Sequence, residues 1–289
     1  MTPVEQAGAE RAGPRLLGIV NITADSFSDG GRFLATEAAI AHARRLVADG
    51  ADIIDLGAAA SNVAAAPVDA ALEQTRLDPV IAALAADGIA LSIDSFQPQT
   101  QRFALKRGVA YLNDILGFPR PSLYPALAAA QCRLIVMHAA QQRGRAQRID
   151  LPAEAVWDRM IAFFTDRVAA LERAGIARDR LILDPGMGFF LSLRPAASLR
   201  ILAGLPRLKR EFGLPVLVSV SRKSFLGALS GHANPSELGA ASLTAELFAA
   251  ARGADFIRTH DPGALRDALR VSAALRAEED RLPPPRRTD

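Results

Sequence analysis

One pattern recurs eight times along the chain: a short run rich in Ile, Val and Leu ends on a polar residue, and an Ala-rich amphipathic stretch usually follows. The runs are RLLGIVN, ADIIDLG, IALSID, VAYLND, RLIVMH, RLILD, PVLVSVS and ADFIRTH. Their nearly continuous apolar character is that of strands buried on both faces of a parallel sheet. Several intervening stretches close on glycine (Gly50, Gly88, Gly108, Gly175, Gly213, Gly253), the residue favoured just past a helix end. Eight β-then-α units within 289 residues match a (β/α)8 barrel in count and length. An open doubly wound sheet usually has fewer strands, and no GxGxxG follows the first run. The expectation is a single-domain α/β barrel over residues 15–277, a flexible N-terminus over 1–14 and a disordered tail over 278–289.

A barrel makes the polar strand ends informative, because sites in this architecture lie at the C-terminal mouth. Asn21, Asp55, Asp94, Asn113, His138, Asp184, Lys223, Arg258 and His260 would ring one opening. The first strand leads into NITADSFSDGG, a long polar loop expected to reach over that opening.

Composition narrows the partners. Net charge is +3, and the basic residues form no run and no aromatic-interleaved patch, which argues against nucleic acid. Only Lys106, Lys209 and Lys223 are lysines; elsewhere the chain uses Arg, so a lysine inside SVSRKSF stands out. A single cysteine, Cys132, excludes an internal disulfide and fits a reducing compartment. The N-terminus has no apolar signal-peptide core, and no stretch is long and apolar enough to span a membrane. A cytoplasmic protein without nucleic-acid or membrane partners is expected.

The motifs GIVNITADSFSDGGRF, GADIIDLG, LSIDS, YLNDI, LILDPGMGF, SVSRKSFLG and GADFIRTHD, in this order, resemble the dihydropteroate synthase family over about residues 15 to 275. The resemblance implies a pterin-binding barrel. It would condense 6-hydroxymethyl-7,8-dihydropterin pyrophosphate with p-aminobenzoate, giving dihydropteroate and pyrophosphate with Mg²⁺, and would form a homodimer through helices on the outer wall.

The resemblance also assigns residues. Asp184 takes the aminopyrimidine edge of the pterin, Asp94 and Asn113 the remaining ring donors and acceptors, and Lys223 the pterin carbonyl beside the aminobenzoate path. Carboxylate to N–H contacts of this kind are the stronger, charge-assisted hydrogen bonds. Arg258 and His260, with Asn21 and Ser61, hold pyrophosphate, and Asn21 also contacts Mg²⁺. Phe27, Phe189, Lys223 and Ser224 line the aminobenzoate side. Asp29, Asp94, Asp184 and Lys223 form the catalytic set, with Asp29 stabilising a pterin cation left when pyrophosphate departs first. A closed first loop, hinged at Gly30 and Gly31 and bearing Asp25, would keep water from that cation.

Two segments depart from the family pattern. After the second strand, LGAAASNVAAAP replaces a Glu-Ser-Thr-Arg-Pro-Gly loop, so Ser61 stands at the Thr position and Asn62 at the Arg position. A lost charged hydrogen bond costs about 1.5–3 kcal/mol, and weak sulfonamide binding is expected from the altered pocket. In the sixth loop Gly-Phe-Gly-Lys becomes GFFL, with Phe190 and Leu191 at the changed positions. Arg143, Arg145 and Arg194 are candidates to supply the missing charge. The alternative function is a paralogue that binds pterin without efficient condensation. A barrel that binds methylated folate has no need of the SFSDGG loop.

Overall fold

A computed structural model describes residues 13–22, 31–58, 68–140 and 149–282. In chain order the elements are β1 (Arg15–Asn21), α1 (Gly31–Ala48), β2 (Ile53–Gly57), α2 (Ala70–Ala86), β3 (Leu91–Asp94), α3 (Pro98–Lys106), β4 (Tyr111–Asp114), α4 (Tyr124–Ala129) and β5 (Arg133–Met137). They continue with α5 (Ala153–Arg173), β6 (Leu181–Asp184), α6 (Pro195–Phe212), β7 (Leu217–Val218), α7 (Ser224–Ser230), α8 (Gly239–Ala251), β8 (Phe256–Thr259) and α9 (Pro262–Glu279). All eight expected strands are present at the expected runs.

The strands pair in parallel in the order β6-β5-β4-β3-β2-β1-β8-β7. A bridge between Leu183 and Val216 joins the two ends of that list, with Leu183 N–H donating to the Pro215 carbonyl at 2.9 Å. The sheet is therefore a nearly closed (β/α)8 barrel, as expected from the eightfold pattern.

Side chains alternate across a strand, so each strand supplies both an inner and an outer layer. Leu17, Ile53, Tyr111, Ile135, Ile182, Leu217 and Phe256 form one buried cluster inside the ring. The neighbouring positions, among them Leu16, Ile54, Ile93, Leu112, Val136 and Ile257, pack outward against the helices. Two residues beyond the inner cluster the same side of β2, β4, β6 and β8 turns polar, giving Asp55, Asn113, Asp184 and Arg258. This step of two explains why the site sits directly on an apolar plug.

Charges at the opposite end serve the wall itself. Asp52 Oδ2 accepts from the Leu16 N–H and from Arg266 Nη2, each at 2.8 Å, and Lys209 Nζ donates to Asp255 Oδ1 at 2.8 Å.

Helix α8 carries a buried acid. Glu246 is 2% exposed, and its Oε1 has no hydrogen-bond partner among the described residues. Burial pushes this carboxyl from 4.5 up to about 7, against a hydrogen bond from Thr259. An acid raised in the fold holds more protons than in the unfolded chain between those values, so stability falls as pH rises through that window. Glu246→Gln is expected to recover roughly 3 kcal/mol above about pH 7.5 and almost nothing near pH 4.5. Thermal melts across pH check this; a constant offset between the two proteins would mean that Glu246 does not titrate in the window.

Candidate active site

The mouth is assembled from the last inward position of each strand and the turn after it. Strand register places Asn21 beside Gly57, Gly57 beside Asp94 and Asp94 beside Asn113. Gly57 leaves the rim beside Asn21 uncovered; a Cβ there would sit in contact with Asn21 Oδ1 at 3.4 Å. From the last strand Arg258 reaches two carboxylates: Nε donates to Asp55 Oδ2 at 2.5 Å and Nη2 to Asp94 Oδ2 at 3.1 Å. Burial pushes the Asp94 carboxyl up, with Arg258 opposing and Asp55, Asp114 and Glu73 adding to the rise.

Asp184 is buried at the end of β6, and its Oδ1 accepts the Gly186 N–H at 2.8 Å. It therefore closes the Pro-Gly turn and also presents a charge to Lys223. Burial raises the Asp184 carboxyl, while Lys223 and the Gly186 N–H resist. Burial lowers Lys223 to about 8, with Asp184 resisting. The ammonium donates to the Met187 carbonyl at 3.4 Å and lies 5.4 Å from the centroid of the Phe190 ring. His260 Nδ1 is 3.0 Å from Ser221 Oγ, which also accepts the His260 N–H at 3.2 Å. Burial, then Arg222, Arg258 and Lys223, push that imidazole down to about 4, so it is neutral at pH 7.

The floor of the mouth is short of hydrogen-bond partners. Asn113 Oδ1, Asp55 Oδ1 and Ser92 Oγ are buried without one among the described residues. Asp55 and Ser92 face each other in register, as do Asp94 and Asn113. Buried polar atoms are nearly always paired, so this acceptor-rich patch suits a ligand rich in N–H donors. Beside it opens a cavity of about 720 Å³, largely apolar, lined by Phe189, Phe190, Lys223, Ser224 and Leu238 among others.

The structure thus brings Asn21, Asp94, Asn113, Asp184, Lys223, Arg258 and His260 to one mouth, with Phe189 and Ser224 on its flank. His138 is a correction. Strand β5 turns Arg133, Ile135 and Met137 inward, so His138 points outward, where it is buried with its ring 5.3 Å from Phe163 and its Nδ1 3.2 Å from the Pro185 carbonyl. Arg194 is also not poised to replace a missing charge: it pairs with exposed Asp150 through Nε at 2.5 Å and Nη2 at 3.0 Å. Phe27, Asp29, Ser61, Asn62, Arg143 and Arg145 lie outside the described residues. So do Asp25 and Gly30, while Gly31 opens α1.

Some supports were not read from the sequence. Glu73 on α2 accepts the Ser95 hydroxyl at 2.7 Å, and Arg76 donates to the Ala58 carbonyl at 2.8 Å. These two contacts fix the residue after Asp94 and the start of the second loop. Asp55 as a partner of Arg258 was legible only as one more polar strand end.

Among the described residues no group of three or more His, Cys, Asp or Glu is arranged to hold a metal ion. Asn21 offers one exposed amide oxygen beside the open Gly57 rim. That donor set fits a magnesium ion, which commonly keeps several waters and substrate phosphates and takes few protein ligands.

An acceptor-rich floor flanked by carboxylates and lysine, with arginine on the eighth strand and histidine just past its end, defines a barrel enzyme for a donor-rich heterocycle carrying an anion. Comparison with known proteins agrees: the family model described as pterin binding enzyme matches residues 17–260. The chain is 60% identical over 261 residues to dihydropteroate synthase type-2 of Escherichia coli, covering 90% of this chain and 96% of that one. It is 54% identical over 261 residues to dihydropteroate synthase type-1 of the same organism, covering 90% and 93%. Among solved structures, Xanthomonas albilineans dihydropteroate synthase with 4-aminobenzoic acid superposes with a TM-score of 0.82 at 40% identity, covering 92% of this chain and 94% of that one. The same enzyme in complex with 7,8-dihydropteroate gives 0.77 at 36% identity, with the same coverage. The chain belongs to the dihydropteroate synthase family, transferases of folate biosynthesis.

Proposed function

We propose that the chain joins 6-hydroxymethyl-7,8-dihydropterin pyrophosphate to p-aminobenzoate, with pyrophosphate leaving before the amine adds. The observation that carries this reading is the unpaired acceptor patch beneath Asp184 and Lys223. A pterin edge supplies the N–H donors that Asp184, Asp94 and Asn113 accept. Lys223 donates to the ring carbonyl at the entrance to the cavity that receives the aminobenzoate between Phe189 and Ser224.

Arg258 exchanges part of its carboxylate pairing for pyrophosphate oxygens, and neutral His260 donates one ring N–H to them. Asn21 and Ser61 complete that side, and Asn21 contributes its amide oxygen to Mg²⁺. When bound, magnesium neutralises charge on the departing pyrophosphate. Asp29 and Phe27 belong to the same reading, as partners of the pterin cation and of the incoming arene. A cytoplasmic setting accords with the single, buried cysteine and with the absence of any helix long and apolar enough to cross a membrane among the described residues.

The test is pyrophosphate release from the pterin pyrophosphate with and without p-aminobenzoate. Rapid release with the amine and slow release without it are expected. No pyrophosphate release in either case, with pterin still bound, would favour the pterin-binding paralogue, a reading that the synthases among its relatives do not favour.

The homodimer belongs to this proposal too. Between α6, α7 and α8 the outer wall carries an apolar groove of about 520 Å³. Leu229, Leu199 and Phe248 on its walls are 55%, 44% and 40% exposed, apolar surface grouped in one patch. A second copy seated there would cover them. Leu229→Glu is expected to convert a sedimenting dimer to monomer; a wild-type protein that is already monomeric at micromolar concentration would remove the proposal.

A further inference from the structure

Arg222 sits between Ser221 and Lys223 in the turn that leads from β7 to α7, and its φ is +57°. A side chain with a Cβ is disfavoured in this left-handed region, so something must hold it there. The turn is closed by Lys223 N–H donating to the Val220 carbonyl at 3.1 Å. From outside the barrel, the Arg222 N–H donates to Ser242 Oγ at 2.9 Å. Ser242 is 4% exposed, on the inner face of α8. From inside, Ser221 Oγ takes the His260 N–H. The strained residue is thus pinned on one side by a buried hydroxyl from the first turn of α8, and its two neighbours face the mouth.

We propose that Ser242 is a positioning residue for the reaction, holding Arg222 in the left-handed turn and so fixing Lys223 and the Ser221–His260 contact at the mouth. The inference rests on the reading of Lys223 as a substrate-binding group. Without the hydroxyl, Arg222 relaxes toward ordinary backbone angles, and the following Cα–Cβ vector, that of Lys223, swings away from Asp184. The rest of the α8 inner face keeps its own contacts: Ala245 and Ala249 pack against the core, and buried Glu246 is hydrogen-bonded by Thr259 rather than by Ser242.

The experiment is steady-state kinetics of Ser242→Ala, alone and combined with Arg222→Gly, with Ser242→Thr as the conservative variant. Glycine adopts positive φ without restraint, so Ser242 has nothing left to hold in the Arg222→Gly background. Ser242→Ala is expected to lower kcat about tenfold in the native background and less than about twofold in the Arg222→Gly background, while Ser242→Thr retains activity. Wild-type kcat in Ser242→Ala, or an equal loss in both backgrounds, would overturn the inference. Lys223→Met is measured in parallel. If it is fully active, the substrate-binding reading of Lys223 fails and the inference falls with it. If it is inactive while Ser242→Ala is fully active, only the positioning role fails.

Discussion

Replacing Asp184 by alanine is expected to reduce pterin affinity roughly 10- to 100-fold, the equivalent of one charge-assisted hydrogen bond. The carboxylate is buried, and its Oδ1 holds the Gly186 N–H at 2.8 Å. Its removal leaves pterin donors opposite an apolar methyl group and takes away the anion that supports the Lys223 ammonium. Lys223, lowered to about 8 by burial despite Asp184, would fall further and be largely neutral at pH 8. Asp184→Asn separates turn from ligand. It keeps an acceptor for Gly186 but loses the charge, so it should fold like the wild type and still bind pterin weakly. Titration calorimetry with 6-hydroxymethylpterin reads both variants. Native affinity in Asp184→Asn would assign the residue to the turn alone.

Arg258→Met is the second large effect, and it strikes stability as well as turnover. The guanidinium joins Asp55 and Asp94 at 2.5 and 3.1 Å, and Asp55 is fully buried. Deleting one member of a buried ion pair costs about 3–5 kcal/mol, because the remaining charge is left uncompensated. Here two carboxylates remain. Burial already raises the proton affinity of Asp94 against the pull of Arg258, so without Arg258 the deficit grows as pH rises and shrinks as it falls. Melting temperatures near pH 5.5 and pH 8 should show a wider gap to the wild type at the higher value. Turnover should drop about 10²- to 10³-fold, as when one donor to a developing anion is removed. A variant as stable as the wild type at both pH values would mean that the carboxylates do not depend on Arg258.

The strands were legible because their evidence is local: LLGIV, LIVM and LIL are apolar throughout, and burial on both faces demands just that. The mouth was legible for residues that continue the inward parity of their strand. Counting by two from Ile53 gives Asp55, from Tyr111 gives Asn113, and from Ile182 gives Asp184. His138 failed because only its position at a strand end was weighed, and not its parity. Counting from Ile135 passes through Met137 and leaves His138 outside. The supports from neighbouring helices were not legible at all. Glu73, Arg76 and Ser242 lie in Ala- and Leu-rich segments whose pattern predicts helix but not which polar residue turns inward. Nothing in their immediate sequence names Ser95, Ala58 or Arg222 as a partner.

The ring of strands is not equally stitched all the way round. Neighbouring strands elsewhere share ladders, whereas β6 and β7 meet at the Leu183–Val216 bridge and β7 itself spans Leu217–Val218. Asp184 stands on one bank of that joint and Lys223 on the other. The two charges proposed to grip the same ligand are thus mounted on opposite sides of the least reinforced part of the wall. A ring of this kind opens first at its thinnest weld. Backbone amides flanking the joint should exchange with solvent sooner than those of β1 and β2, and bound pterin should act as the clasp that slows them.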